Sequence, residues 1–144
     1  MQKWFIIPPC SDLGTEVSVY YDSLRFNIEN SDLQRLLEYF NNNGYMYKKH
    51  KYTYTIFEQN NTNKSPMFKA TITKNKDKLP GISLEFYGQK TYNDLLDKFR
   101  NDSLNLFFLF VNTYNLENQT YLKSIDLAID FKISMKSFQL INTK

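Results

Sequence analysis

The sequence predicts an α+β domain, a mostly antiparallel sheet with helices packed on one face, in the order β-α-β-β-β-α-β. Three observations carry this. Short runs of apolar/polar alternation recur along the chain, and two segments show helical spacing of apolar residues. Adjacent strand candidates are also joined by a short turn, as in an antiparallel hairpin. With 144 residues, 42% hydrophobic content and only four Gly and four Pro, the chain can bury a real core and reads as a single domain over 1–144.

The first strand is EVSVYYDSLRFNI, residues 16–28. Val17, Val19, Tyr21, Ser23, Arg25 and Asn27 fall on one face, Tyr20, Leu24, Phe26 and Ile28 on the other, and a bend is expected near Asp22. Ser31 then reads as an N-cap for a helix carrying Leu33, Leu36, Leu37 and Phe40, which the run Asn41-Asn42-Asn43-Gly44 stops. A strand over Lys51 to Gln59 has Tyr52, Tyr54 and Ile56 on one side. After a polar loop, Met67 to Lys74 and Gly81 to Tyr87 form a hairpin, with Phe68, Ala70 and Ile72 facing Ile82, Leu84 and Phe86. A long helix runs from about Thr91 to Tyr114 with Leu95, Leu96, Phe99, Leu106, Phe107, Phe110 and Val111 as its apolar face; Asn101 to Ser103 is the place where it would break. LKSIDLAIDFK, residues 122–132, is the last strand, and Ser134 to Leu140 reads as a weakly helical tail.

Composition removes several function classes. The net charge of +3 is mildly basic and compatible with an anionic partner. A lone cysteine, Cys10, excludes an internal disulfide and CxxC metal clusters, and a cytoplasmic setting is expected. The apolar run Trp4 to Ile7 is stopped by Pro8 and Pro9, and LNLFFLFV, residues 104–111, is about half the length a bilayer requires, so no membrane association is expected. One histidine, His50, leaves no His pair for zinc and no His-x-His nicking motif. Phosphate-cradling GxxxxGK[ST] and GxGxxG loops are absent.

The chemistry that remains is acidic. Alternation puts Asp126, Ala128 and Asp130 on one face of the last strand, with Ile125, Leu127, Ile129 and Phe131 on the other, the expected core side. Along a strand, four residues separate the two carboxylate-bearing Cα atoms by roughly 13 Å, so one ion reaches both only if the strand bulges or the side chains lean together. Glu85 shares its strand face with Ser83 and Tyr87, opposite Ile82, Leu84 and Phe86. If its strand lay beside the last strand, Glu85 would meet Asp126 or Asp130, and the oxygens would suit Mg²⁺ or Mn²⁺. Otherwise these carboxylates keep an exposed face soluble or pair with lysines.

SIDLAIDF resembles the R-(I/L)-D-L-A-(I/V)-D-D segment of rolling-circle plasmid replication initiators, relaxase-like proteins of mobile elements. YYDSLRFNI is similar to their D-Y-L-x-F strand, and GISLEFYGQKTYNDLL to the strand that ends in G-Q before a long helix. Order and spacing agree over about residues 20–135. The resemblance implies DNA nicking-closing at an origin by a tyrosine, with a divalent metal held partly by acidic residues. Asp126 and Asp130 match the motif's aspartates, Gly88 and Gln89 its Gly-Gln, and Glu85 joins them only through the strand-face argument. Ser124 stands where the family commonly has Arg, and Phe131 where it often has Asp. The family's nucleophilic tyrosine lies well downstream of the aspartate motif, so the resemblance assigns that role to none of the 11 tyrosines here. The resemblance therefore implies either the N-terminal part of a longer initiator or a short relative without the strand-cutting half.

The run YMYKKHKYTYT offers Lys48, Lys49 and Lys51 beside Tyr52 and Tyr54, the basic and stacking groups a binder of single-stranded or hairpin DNA uses. A basic turn followed by an ordinary strand fits the same residues. Two readings result. One is a DNA-binding replication domain with Mg²⁺ or Mn²⁺ as cofactor. The other is a non-catalytic α+β module of a mobile element that binds protein, as a homodimer or in a complex, through its open sheet face or the LNLFFLFV helix.

Overall fold

A computed structural model describes residues 3–7, 16–60, 65–73, 80–88, 93–132 and 139–143. The fold is α+β, as the periodicities predict. The trace divides into two compact units, residues Tyr20–Leu127 and residues Met1–Val19 with Ala128–Lys144. In the smaller unit β1 (Lys3–Ile7) pairs antiparallel with β8 (Gln139–Thr143), in register from Lys3 with Thr143 to Ile7 with Gln139. Neither strand was expected. Gln139 and Leu140, read as the end of a helical tail, are extended because their partner lies at the other end of the chain, beyond any local periodicity. The rest of that expected tail, 134–138, lies outside the described residues.

The larger unit is built on a six-stranded sheet in the order β3-β4-β5-β6-β2-β7. Its strands are β2 (Glu16–Ile28), β3 (Tyr45–His50), β4 (Thr53–Glu58), β5 (Pro66–Thr73), β6 (Gly81–Tyr87) and β7 (Thr120–Lys132). The two helices are α1 (Leu33–Asn42) and α2 (Asp94–Thr113). β6 shows most plainly how sequence makes the sheet. Ile82, Leu84 and Phe86 are buried, while Ser83, Glu85 and Tyr87 alternate outward. The same alternation buries Leu24, Phe26 and Ile28 of β2, and Phe68 and Ala70 of β5. Tyr21 packs against this core while Ser23 stands on the opposite face, so the alternation of β2 breaks at Asp22, where a bend was expected.

Leu33, Leu36, Leu37 and Phe40 of α1 and Phe107, Phe110 and Val111 of α2 cover the apolar side. Phe68 and Phe86 stack at 4.6 Å, Phe40 meets Phe68 at 4.8 Å, and Phe26 meets Phe107 at 5.1 Å. The cap of α1 is Asp32 rather than Ser31: its carboxylate accepts from the Gln34 N–H at 2.9 Å, while the Ser31 N–H bonds Pro80 O. The helix stops as expected, at Gly44 with φ +89°. α2 is capped by Asn93, which accepts from Leu95 and Leu96, and it continues through Asn101–Ser103 without a break. Ser103 is fully buried there and satisfies its hydroxyl on Arg100 O at 2.7 Å.

Two expectations about strands fail. The first part of YMYKKHKYTYT is not a turn: Tyr45–His50 is a strand hairpinned to β4 through Lys51 (φ +51°) and Tyr52. As an edge strand with only Tyr45 buried, β3 carries no alternation to betray it. The second concerns β7. Ile125, Leu127 and Ile129 are not core residues but 48%, 62% and 55% exposed. β7 is the last strand of the sheet, and the core helices pack over β3, β5 and β6. The Phe131 side chain lies outside the described ones. Among the described residues no helix is long and apolar enough to cross a membrane.

Candidate nucleic-acid interface on the open sheet face

Both helices pack on one side of the larger unit's sheet, and among the described residues of that unit no helix lies on the other. Directly opposed residues in paired strands share a face, so the registers define rows across it. One row runs Lys48 (β3), Thr55 (β4), Lys69 (β5), Glu85 (β6) and Arg25 (β2). Lys123 of β7 reaches the same place, because it lines a cavity of about 230 Å³ together with Arg25, Lys69, Thr71, Ser83 and Glu85. Four cations and one carboxylate thus lie in a band across six strands, which spans roughly 24 Å at about 4.8 Å per strand spacing. The neighbouring row is neutral: His50, Thr53, Thr71, Ser83 and Asn27, where the Asn27 side-chain amide donates to the Tyr121 hydroxyl at 3.1 Å.

Glu85 is the centre of the basic row. Its Oε1 accepts from Arg25 Nη2 at 3.2 Å and its Oε2 from Lys69 Nζ at 2.8 Å. The Lys69 hydrogen bond and charge, with Arg25 beside them, hold the Glu85 carboxyl below the usual glutamate range against the opposing effect of burial. The same hydrogen bond raises the Lys69 ammonium above the usual lysine range. Lys123 makes no ion pair among the described residues.

The expected acidic constellation is distributed differently. β2 intervenes between β6 and β7, so Glu85 faces Arg25 instead of the aspartates. Two strand spacings, roughly 9.6 Å, separate its strand from that of Asp126. Asp126 is exposed and accepts from the Ser23 hydroxyl at 2.7 Å. Asp130 is half-buried further along β7, in the smaller unit. Among the described residues no three His, Cys, Asp or Glu side chains are grouped closely enough to share an ion.

The expected DNA-contacting run divides in the same physical way. Lys48 joins the basic row, but alternation sends Lys49 to the helix side, where its ammonium lies 5.7 Å over the Tyr54 ring. Tyr54 also meets Tyr47 edge-on at 5.8 Å. Lys51 and Tyr52 form the β3–β4 turn, with Tyr52 strongly exposed. Gly88 closes tightly on β2: a Cβ there would lie 2.6 Å from Asp22 O. Its carbonyl accepts from the Arg100 guanidinium at 2.9 Å, which ties the end of β6 to α2. Gln89 lies outside the described residues.

Arg25, Lys69 and Lys123 were missed as site residues. The signal was present in part, since alternation already placed Arg25 and Lys69 opposite buried neighbours. What joins them is strand order, which no local pattern encodes. Comparison with protein-family models, curated proteins and solved structures found no match.

Proposed function

We propose that the open sheet face binds single-stranded nucleic acid, the partner that the motif resemblance also suggests. The observation that carries this reading is the row Lys48–Lys69–Arg25–Lys123, which gathers cations from four strands onto one uncovered face with a single carboxylate among them. Spaced cations along a track match a polyanion's repeating charge, and the intervening Thr55, Thr71, Ser83 and Tyr121 supply hydrogen-bonding and stacking groups. A single strand fits better than a duplex. Both helices lie on the other side of the sheet, so among the described residues no helix stands on this face to enter a major groove.

The donor set favours an anion over a cation here. Glu85 spends both oxygens on Arg25 and Lys69, and the Asp126 carboxylate accepts from the Ser23 hydroxyl. The reading therefore assigns binding to this face and no strand-cutting step. Its test is a fluorescence titration of the chain against a labelled oligothymidylate of about 12 nucleotides. Binding at low salt should weaken with a log–log slope of about −2 to −3 as salt rises, as three or four phosphate contacts require. No binding at about 50 mM salt overturns the reading.

One observation favours a second reading, a protein-binding module. Leu122, Ile125 and Leu127 are exposed on an edge strand, the surface through which sheets extend into a second chain. Sedimentation over a range of concentrations distinguishes the two: a concentration-dependent dimer with no affinity for the oligonucleotide supports the module.

A further inference from the structure

We propose that Arg25, Lys69 and Lys123 form a seat for one phosphodiester of the bound strand, and that Glu85 is its built-in competitor, displaced when the phosphate enters. This rests on the open-face reading and adds to it a regulated position.

Four observations support it. Glu85 holds Arg25 and Lys69 through separate oxygens, the same two-oxygen fork that a phosphate's non-bridging oxygens present. The cavity of about 230 Å³ around the carboxylate opens to solvent, and its Thr71 and Ser83 hydroxyls supply further donors. Lys123 lines the same cavity and makes no ion pair among the described residues, so one cation is available before Glu85 moves. With three cations and one carboxylate the seat carries a net charge of +2, which a phosphodiester does not exhaust.

The Arg25 and Lys69 side chains are 50% and 42% exposed, so both cations can swing toward solvent while the Glu85 side chain is 19% exposed. Glu85 also stays ionised throughout the neutral range, because Lys69 and Arg25 depress its pKa. It therefore opposes any isolated anion, and yields to a strand already held by Lys48 and Lys123 along the row. The consequence is selectivity for polyanions over single phosphate ions.

The test compares Glu85→Gln with wild type, using the labelled oligothymidylate and inorganic phosphate as probes. The variant should bind the oligonucleotide about 3- to 10-fold more tightly at low salt, with a salt slope close to that of wild type because the same phosphate is seated in both. Inorganic phosphate should protect the variant against heat and leave wild type unmoved. Unchanged or weaker oligonucleotide binding by a folded Glu85→Gln, with wild-type binding intact, overturns the proposal and leaves Glu85 as a scaffold for its two cations. No oligonucleotide binding by wild type is a different failure, that of the open-face reading itself. Should Glu85→Gln not fold, the wild-type chain still decides: NMR of the Lys69 ammonium shifts on saturation if phosphate replaces carboxylate, and stays in place if it does not.

Discussion

Lys69 and Glu85 lie directly opposite one another on β5 and β6, and their charged groups meet at 2.8 Å on the sheet face away from both described helices. Arg25 grips the other oxygen from β2, so three adjacent strands are tied by one carboxylate. That relationship turns a candidate metal ligand into the counter-ion of a basic row.

The first prediction concerns pH. The Glu85 pKa is lowered from 4.5, first by the Lys69 hydrogen bond. A depressed carboxylate contributes stability above its unfolded value and loses it as pH falls through the folded one. Denaturant melts from about pH 7 to about pH 2 should show wild type losing more stability below pH 4.5 than Glu85→Gln, the two curves converging in acid. Parallel curves would mean that the pair contributes nothing to folding.

Gly88 has no room for a side chain. Gly88→Ala drives a methyl to 2.6 Å from the Asp22 carbonyl oxygen, a backbone atom that cannot step aside. A loss of about 1–3 kcal/mol is expected by urea unfolding, the usual range for overpacking.

Two leucines of β6 and β7 separate core from edge. Leu84 is fully buried and Leu127 is mostly exposed. Leu84→Ala should cost about 2–5 kcal/mol, whereas Leu127→Ala should stay within about 0.5 kcal/mol. Comparable losses at both would place Leu127 under a cover.

Phe107 joins α2 to the sheet, with its ring 5.1 Å from Phe26 and 5.2 Å from Phe86. Phe107→Ala should cost about 3–5 kcal/mol, a large share of the ~5–15 kcal/mol that holds a domain of this size, and lower the melting temperature accordingly.

Local patterns foretold much of this architecture. The alternation of GISLEFY and the spacing of Leu33, Leu36, Leu37 and Phe40 are consequences of burial on one side, and burial leaves its mark in composition. β3 was invisible because an edge strand with one buried residue has no two-sided contrast. β7 misled for the converse reason: its apolar residues alternate as a core strand's would, yet the strand lies at the sheet edge. For the candidate site, alternation put Glu85 and Asp126 on the open face. It could not say that β2 stands between them, because the order of strands in a sheet is set by packing across the whole chain. That one fact decides which charges meet.

The most direct test of the nucleic-acid face compares two lysines on opposite sides of the sheet. Lys123 lines the open-face cavity, while Lys49 lies over Tyr54 on the helix side. Affinity for the oligothymidylate is measured against salt for Lys123→Ala and Lys49→Ala. Lys123→Ala should weaken binding and make the slope shallower by about 0.7, with Lys49→Ala close to wild type. Loss of binding in Lys49→Ala with Lys123→Ala unaffected would contradict the account and move the nucleic acid to the opposite face.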